Sequence, residues 1–269
     1  MSQSIDQLKG IIARLRAPGG CPWDREQTAS SLRTSLIEEA YEVIDAIERN
    51  HDADLREELG DLLINILMQA EIASEQKTFD LEAIASTASE KLVRRHPHVF
   101  GDSSATTSEA VLTQWDEIKK AERSAKGDRE ASEDSLLAGV APSFPALVRA
   151  QKIQKKAAKA GFDWERPEDV IEKIREEIVE VEQELAVADR ERAGERLTDE
   201  VGDLLFAVVN LSRALSIDAE SALRAATGKF EKRFRWMERT VPAGKAFSDL
   251  SLDEMNSLWE QAKKSERAN

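Results

Sequence analysis

Between Leu36 and Met68 the apolar positions form two blocks of helical period, LIEEAYEVIDAI and LREELGDLLINILM, parted by the polar stretch RNHDAD. At 100° per residue Leu36, Ile37, Ala40, Tyr41, Val43, Ile44 and Ile47 share one arc of the first block, and Glu38, Glu39 and Glu42 share the other. This predicts an amphipathic helix. In the second block Leu55, Leu59, Leu62, Leu63, Ile64, Ile66, Leu67 and Met68 occupy almost the whole circumference and leave one strip of Glu58, Asp61 and Asn65. That helix is expected to be buried. Most other segments also read at helical period, with few alternating or β-branched runs, so the predicted fold is all-α. Breaks are expected at APGGCPWD, RNHDAD, HPHVFGDSS, AGFDWERP and VPAGKAFSD.

The pattern occurs twice. EEAYEVIDAI returns as EEIVEVEQEL, EELGDLLINIL as DEVGDLLFAVV, SEKLVRR as TGKFEKR, and QWDEIKKAE as LWEQAKKSE; CPWD and GFDW agree loosely. One offset relates Glu39 to Glu177 and Lys91 to Lys229, and Asp61 and Asp203 stand four residues further apart. The second copy therefore has a longer connection between its acidic helices. A unit this long is a duplicated domain, because solenoid repeats are roughly 20–50 residues. The expected organisation is residues 1–122, a charged linker over 123–140, and residues 141–269. Pro142 and Pro145 constrain the path into the second copy.

A carboxylate strip on an otherwise apolar helix is costly unless the charges are paired or bind a cation. Antiparallel packing of the acidic helices would gather Glu39, Glu42, Glu58 and Asp61 in the first copy, and Glu177, Glu180, Glu200 and Asp203 in the second. Oxygen-only ligands with open positions suit Mg²⁺, with Mn²⁺ as a substitute, and hence phosphate chemistry. A solvated acidic face is the alternative for one EExxE motif, but it explains neither the apolar setting nor the recurrence. A di-iron site would need Glu-x-x-His pairs, which His51, His96 and His98 do not supply. Gly60 and Gly202, each directly before the Asp, are expected to mark close helix approach.

Each copy ends in cations and aromatics. Lys91 and Arg95 stand four apart, as do Lys229 and Arg233, Trp115 and Lys119, and Trp259 and Lys263. Together they offer partners for phosphate oxygens and a flat surface for a base, although each alone would read as a solvated or core residue. In the second copy the polar strip is Glu200, Asp203 and Asn210. Asn65 and Asn210 fit contact with a base or sugar as well as they fit contact with a neighbouring helix. Trp23 and Trp164 are expected to pack at the domain entrances, Trp236 to lie at the surface or a subunit contact, and His96 and His98 to be structural.

The net charge of -14 disfavours nucleic acid or an anionic membrane as a partner. The single cysteine, Cys21, excludes an intramolecular disulfide and carries no assigned chemistry. With no apolar run near about 20 residues and no apolar leader, a cytoplasmic protein is expected.

The doubled EExxE and ExxD motifs, with CPWD, VRRHPHVF, QKIQKKAAKAGFDW and EVGDLLFAVVNL, resemble the MazG family of nucleoside triphosphate pyrophosphohydrolases over nearly the whole chain. The resemblance implies an all-α homodimer with four-helix cores completed between subunits. It also implies hydrolysis of varied nucleoside triphosphates between the α and β phosphorus atoms, in a nucleotide-pool house-cleaning role. On that pattern the two sets of four acids hold the metal, and Glu176 is the general base, with Glu177 as the alternative. Lys229, Arg233, Lys263 and Trp259 meet the nucleotide, with Asn210 near it, and Lys91, Arg95, Trp115 and Lys119 match them in the first copy. Pro97 ends the first copy's basic helix just after Arg95, whereas the second continues through Phe234, Arg235 and Trp236, so the second copy is expected to be the more active. A nucleotide-sensing regulator with little turnover and a purely structural helical dimer are the competing classes. A protein regulator is left open.

Overall fold

A computed structural model describes residues 3–126, 135–187, 190–242 and 244–268. All regular elements among them are helical. The chain divides into two compact units, Met1–Gly127 and Asp128–Asn269.

In the first unit, α1 (Gln3–Arg16) and the short α2 (Pro22–Glu26) precede the paired acidic helices α3 (Arg33–Arg49) and α4 (Asp52–Glu75). The turn between α3 and α4 is sharp for a local reason. Asn50 adopts a left-handed conformation that ends α3, and the His51 side chain accepts a hydrogen bond from the Asp54 backbone N–H to start α4. Asp52 and Asp54 complement the positive helix end. Then come α5 (Leu81–Arg95), capped by the Asp80 carboxylate, α6 (Pro97–Phe100) and α7 (Ser108–Lys126). Pro97 stops α5 as expected. The core joins Ile12 of α1 to Leu32 and to Leu67, Met68 and Ile72 of α4.

The second unit repeats the plan. Helix α8 (Ala146–Lys159) and the loop 160–166 lead into α9 (Pro167–Leu185), α10 (Arg190–Ala214), α11 (Ala219–Thr240) and α12 (Leu252–Ala268). Pro167 occupies the first turn of α9, where its missing N–H costs no hydrogen bond, and Glu168 and Asp169 follow it. One 3-10 turn, Phe247–Asp249, lies before α12. Here the largest core cluster is Met237, Leu250 and Leu258.

Several expectations change. Helix α4 is not buried all round within its unit. Leu63, Leu67, Met68 and Ile72 face the core, but Leu59 is 48% exposed, with Ile64 and Ile66 also uncovered. One unit supplies cover for only one side of such a helix. Gly60 and Gly202 are not sites of close approach, since a Cβ at either would meet nothing within 4 Å. Trp23 and Trp164 are exposed rather than packed, and Trp236 packs against the Met237 cluster. The stretch expected as a linker begins as helix, because α7 runs to Lys126. Residues 127–134 lie outside the described residues.

Candidate active site

Helices α3 and α4 pack together, as do α9 and α10, and each pair gathers acids. Carboxylate oxygens of Glu39, Glu58 and Asp61 lie within 4.8 Å of one another, and so do those of Glu177, Glu180 and Glu200. The all-oxygen donor set of each group suits a hard cation. Glu42 stands beside the first group, where its charge pushes up the carboxyls of both Glu39 and Glu58. Desolvation is the larger cause for each, with Asp61 adding to it. Asp203 falls outside the tightest trio of the second copy and lines a cavity together with Glu177.

The two groups differ in their surroundings. Glu39, Glu58 and Asp61 are half-buried, and Glu39 accepts a 3.4 Å hydrogen bond from the Ser35 hydroxyl. Asn65 donates to the same hydroxyl and to the Asp61 carbonyl, which assigns its amide to the neighbouring helix. In the second copy Glu177 is only 4% exposed, and its Oε2 has no hydrogen-bond partner among the described residues. Lys173 holds it by an ion pair of 2.7 Å and reaches Glu176 at 3.0 Å. These two carboxylates raise the Lys173 ammonium above its ordinary range. Glu180 is pushed upward by desolvation and then by the Glu177 charge. Lys173 occupies the place that Ser35 holds in the first copy, four residues before the corresponding glutamate. Sequence reasoning missed it because a lysine at that spacing reads as an ordinary surface pair.

The expected general base, Glu176, is exposed and, among the described residues, pairs with Lys173. Asn210 does not match Asn65, since it follows Asp203 by seven residues where Asn65 follows Asp61 by four. Its Oδ1 accepts from Arg213 Nε at 2.8 Å, and Arg213 is bound to Asp163.

The cationic residues form clusters of their own. Arg95 pairs with Glu122 at 2.6 Å, and Arg233 pairs with Glu266 at 2.8 Å. Arg95 and Arg94 together hold the Glu122 carboxyl down to about 2. Both glutamates end the matched KKAE and KKSE strings, so the repeat carried a signal for them. Lys119 lies over the Trp115 ring, whose edge also meets His96. The Trp259 ring meets Phe230 at 5.2 Å and the Arg233 guanidinium at 5.5 Å. Lys263 pairs with Glu260, and Lys91 borders a shallow groove on α5. Among the described residues, no ion pair or hydrogen bond joins Lys229, Arg233, Trp259 or Lys263 to the acids of α9 and α10.

A model of the MazG nucleotide pyrophosphohydrolase domain matches residues 27–100 and again 165–237. The chain is 48% identical to the nucleoside triphosphate pyrophosphohydrolase of Escherichia coli K12, with 97% of this chain and 98% of that protein aligned. It is 44% identical to the nucleoside triphosphate pyrophosphohydrolase/pyrophosphatase MazG of Thermotoga maritima, over 96% of this chain and 95% of that one. A crystal structure of a mazG-related protein from Thermotoga maritima aligns with 43% of this chain and 98% of its own, at 34% identity and a TM-score of 0.38. With the domain matched in both units, and the acidic helix pair present in each, the chain belongs to the MazG nucleotide pyrophosphohydrolase family in its tandem form.

Proposed function

We propose that the chain hydrolyses nucleoside triphosphates between the α and β phosphorus atoms, releasing nucleoside monophosphate and pyrophosphate, and that the second copy carries the turnover. The observation that bears most weight is Glu177. A carboxylate buried to this degree with a partnerless oxygen, facing two further carboxylates, is unfavourable on its own and becomes favourable around a cation. The donor set fits Mg²⁺, held by Glu177, Glu180, Glu200 and Asp203, with Mn²⁺ as a substitute. Bound there, the ion would neutralise phosphate oxygens and lower the pKa of an attacking water.

The remaining roles belong to the chain's own side chains. Lys173 holds Glu177 by its ion pair before substrate arrives. Glu176, exposed on the same helix, accepts a proton from water as general base, with Glu177 as the alternative. Lys229, Arg233 and Lys263 bind the polyphosphate, and Trp259 and Asn210 lie near the nucleotide. Lys91, Arg95, Trp115 and Lys119 match them beside Glu39, Glu42, Glu58 and Asp61, in a copy that binds more than it turns over. The uncovered apolar side of α4 and its counterpart on α10, where Leu205 and Phe206 are exposed, support a homodimer that closes four-helix cores. A broad range of triphosphates and a house-cleaning role are part of the same reading, and its site would be the cytoplasm. No described helix is long and apolar enough to cross a membrane.

The test follows pyrophosphate and nucleoside monophosphate from a panel of triphosphates with Mg²⁺, in wild type, Asp61→Ala and Asp203→Ala. Loss confined to Asp203→Ala is expected. Loss confined to Asp61→Ala would move catalysis to the first copy, and no pyrophosphate from wild type would leave a nucleotide sensor.

A further inference from the structure

In the second unit α8 packs on both α10, which carries Glu200 and Asp203, and α11, which carries Lys229 and Arg233. Helix α11 meets α8 and α12 more extensively than it meets α10, so α8 is the bridge between the acidic and the cationic helix. Two buried glutamines one turn apart on α8 make that bridge polar. Gln154 Nε2 donates to the Phe206 carbonyl at 2.8 Å, one turn beyond Asp203 on α10. Gln151 reaches the turn that joins α10 to α11. Its Nε2 donates to the Ile217 carbonyl at 2.7 Å, and its Oε1 accepts from the Ala219 backbone N–H at 3.1 Å.

We infer that Gln151 is a positioning residue that sets the direction in which α11 leaves α10 and so places Lys229 and Arg233, which rests on the proposed binding of polyphosphate by those two cations. The N–H groups of a helix's first turn have no partner inside the helix. At α11 the Asp218 carboxylate takes the Ser221 N–H, and Gln151 takes that of the buried Ala219. The chain reverses before it through Ser216, whose φ of 59° is left-handed. Both ends of the Gln151 amide are thus spent on backbone atoms of one turn, a two-point grip that no apolar side chain reproduces. The Met237 cluster ties the far end of α11 to α12 and adds no hold on α10. Leverage gives the grip its weight. Lys229 and Arg233 lie ten and fourteen residues beyond Ala219, about 15 and 21 Å along the helix, so a swing of about 10° at the turn moves them about 3–4 Å. A shift of that size breaks a charge-assisted hydrogen bond to phosphate.

The first copy is built otherwise at the same junction. Its buried Arg16 bridges Glu75 and the carbonyls of Asp24 and Gln27, tying α1 to α4 and to the entry loop. Among the described residues no side chain of α1 is hydrogen-bonded to residues 76–80, the turn between α4 and α5, where Thr78 bonds Ala73 and Asp80 caps α5. The grip on the cation-bearing helix therefore belongs to the second copy, and it gives the QKIQ string at 151–154 a physical use.

The experiment compares wild type, Gln151→Met and Gln151→Glu. It measures kcat and KM for one nucleoside triphosphate with Mg²⁺, the affinity for inorganic tripolyphosphate, and the affinity for Mg²⁺ alone. Methionine keeps the volume and removes both hydrogen bonds. It should lower kcat/KM, mainly through KM, and tripolyphosphate affinity about 10–100-fold, while Mg²⁺ affinity stays within about twofold of wild type. Glutamate keeps both bonds only while its carboxyl is protonated, when the O–H donates to Ile217 and the C=O accepts from Ala219. Burial and the neighbouring Asp218 charge push that carboxyl up and outweigh Lys155 and Arg224, which act on Asp218. The ratio of this variant's kcat/KM to that of wild type should therefore approach one near about pH 6 and fall toward the methionine value near about pH 9. Wild-type kcat/KM in Gln151→Met, a loss of Mg²⁺ affinity in step with kcat/KM, or a Gln151→Glu ratio that does not change with pH would each overturn the positioning role and leave the hydrolysis standing. If methionine prevents folding, the pH dependence of Gln151→Glu decides. If wild type releases no pyrophosphate, the hydrolysis fails and the tripolyphosphate affinities of the three proteins decide the positioning role.

Discussion

Replacing Lys173 by methionine should cost more stability in metal-free than in metal-loaded protein. The lysine lies 2.7 Å from Glu177, and at an effective dielectric constant of about 20 that pair is worth roughly 6 kcal/mol before desolvation. Glu180 and Glu200 approach Glu177 to within 4.8 Å and repel it. The lysine thus offsets part of that repulsion. Removing one partner of a buried ion pair costs about 3–5 kcal/mol, and because the Lys173 side chain is 34% exposed, water reduces this to about 2–3 kcal/mol. In EDTA, Lys173→Met should lose that much stability. With saturating Mg²⁺ wild type and variant both gain, and about tenfold tighter binding by the variant would return about 1.4 kcal/mol of the difference, roughly half of it. The variant should also bind Mg²⁺ about tenfold more tightly, because no resident cation competes. Urea denaturation followed by far-UV circular dichroism, with and without Mg²⁺, measures the stabilities, and calorimetric titration measures the affinity. An equal loss in both buffers, or weaker Mg²⁺ binding, would refute the electrostatic reasoning.

Two further outcomes follow from the same geometry. Gly60→Ala and Gly202→Ala should each stabilise the protein by about 1 kcal/mol in thermal unfolding, because each glycine lies in a helix interior with open space around its Cβ position. Destabilisation would place another backbone against them. The Glu122 carboxyl is held down to about 2 by Arg95 and Arg94, so its contribution is complete above the ordinary carboxyl range and is lost as pH falls through about 4.5 toward 2. Wild type should lose more stability than Glu122→Gln between pH 6 and pH 3 in urea titrations, and parallel curves would refute it.

The acidic centre was legible because two helices with a short turn have little choice but to lie antiparallel, and because the second copy independently repeats the motif. The outer side of α4 was legible only in part. Period alone shows that Leu59, Ile64 and Ile66 are apolar, and it cannot show that one unit leaves them uncovered. Trp236 was misplaced because the cluster it packs against takes Leu250 from the segment after α11, which carries no periodic signal. Lys173 escaped the comparison of copies, since a search for what the repeats share passes over a lysine that faces a serine. Gln154 was invisible for another reason. Its amide meets the Phe206 carbonyl, which α10 brings to α8 only in the folded unit.

What the copies keep and what they change therefore separate into two kinds of chemistry. Both keep an arginine closed on a late glutamate, Arg95 with Glu122 and Arg233 with Glu266, so each arginine already has a carboxylate where a phosphate would bind. Phosphate binding there is an exchange of one anion for another, and its net gain is smaller than a free guanidinium would give. The acidic centres diverge instead. Glu39 is half-buried beside a neutral serine, so a cation arriving there displaces only water. Glu177 is buried beside a lysine, so a cation arriving there would have to rearrange Lys173 as well as displace water. That difference supports the proposed turnover in the second copy and simple cation binding in the first.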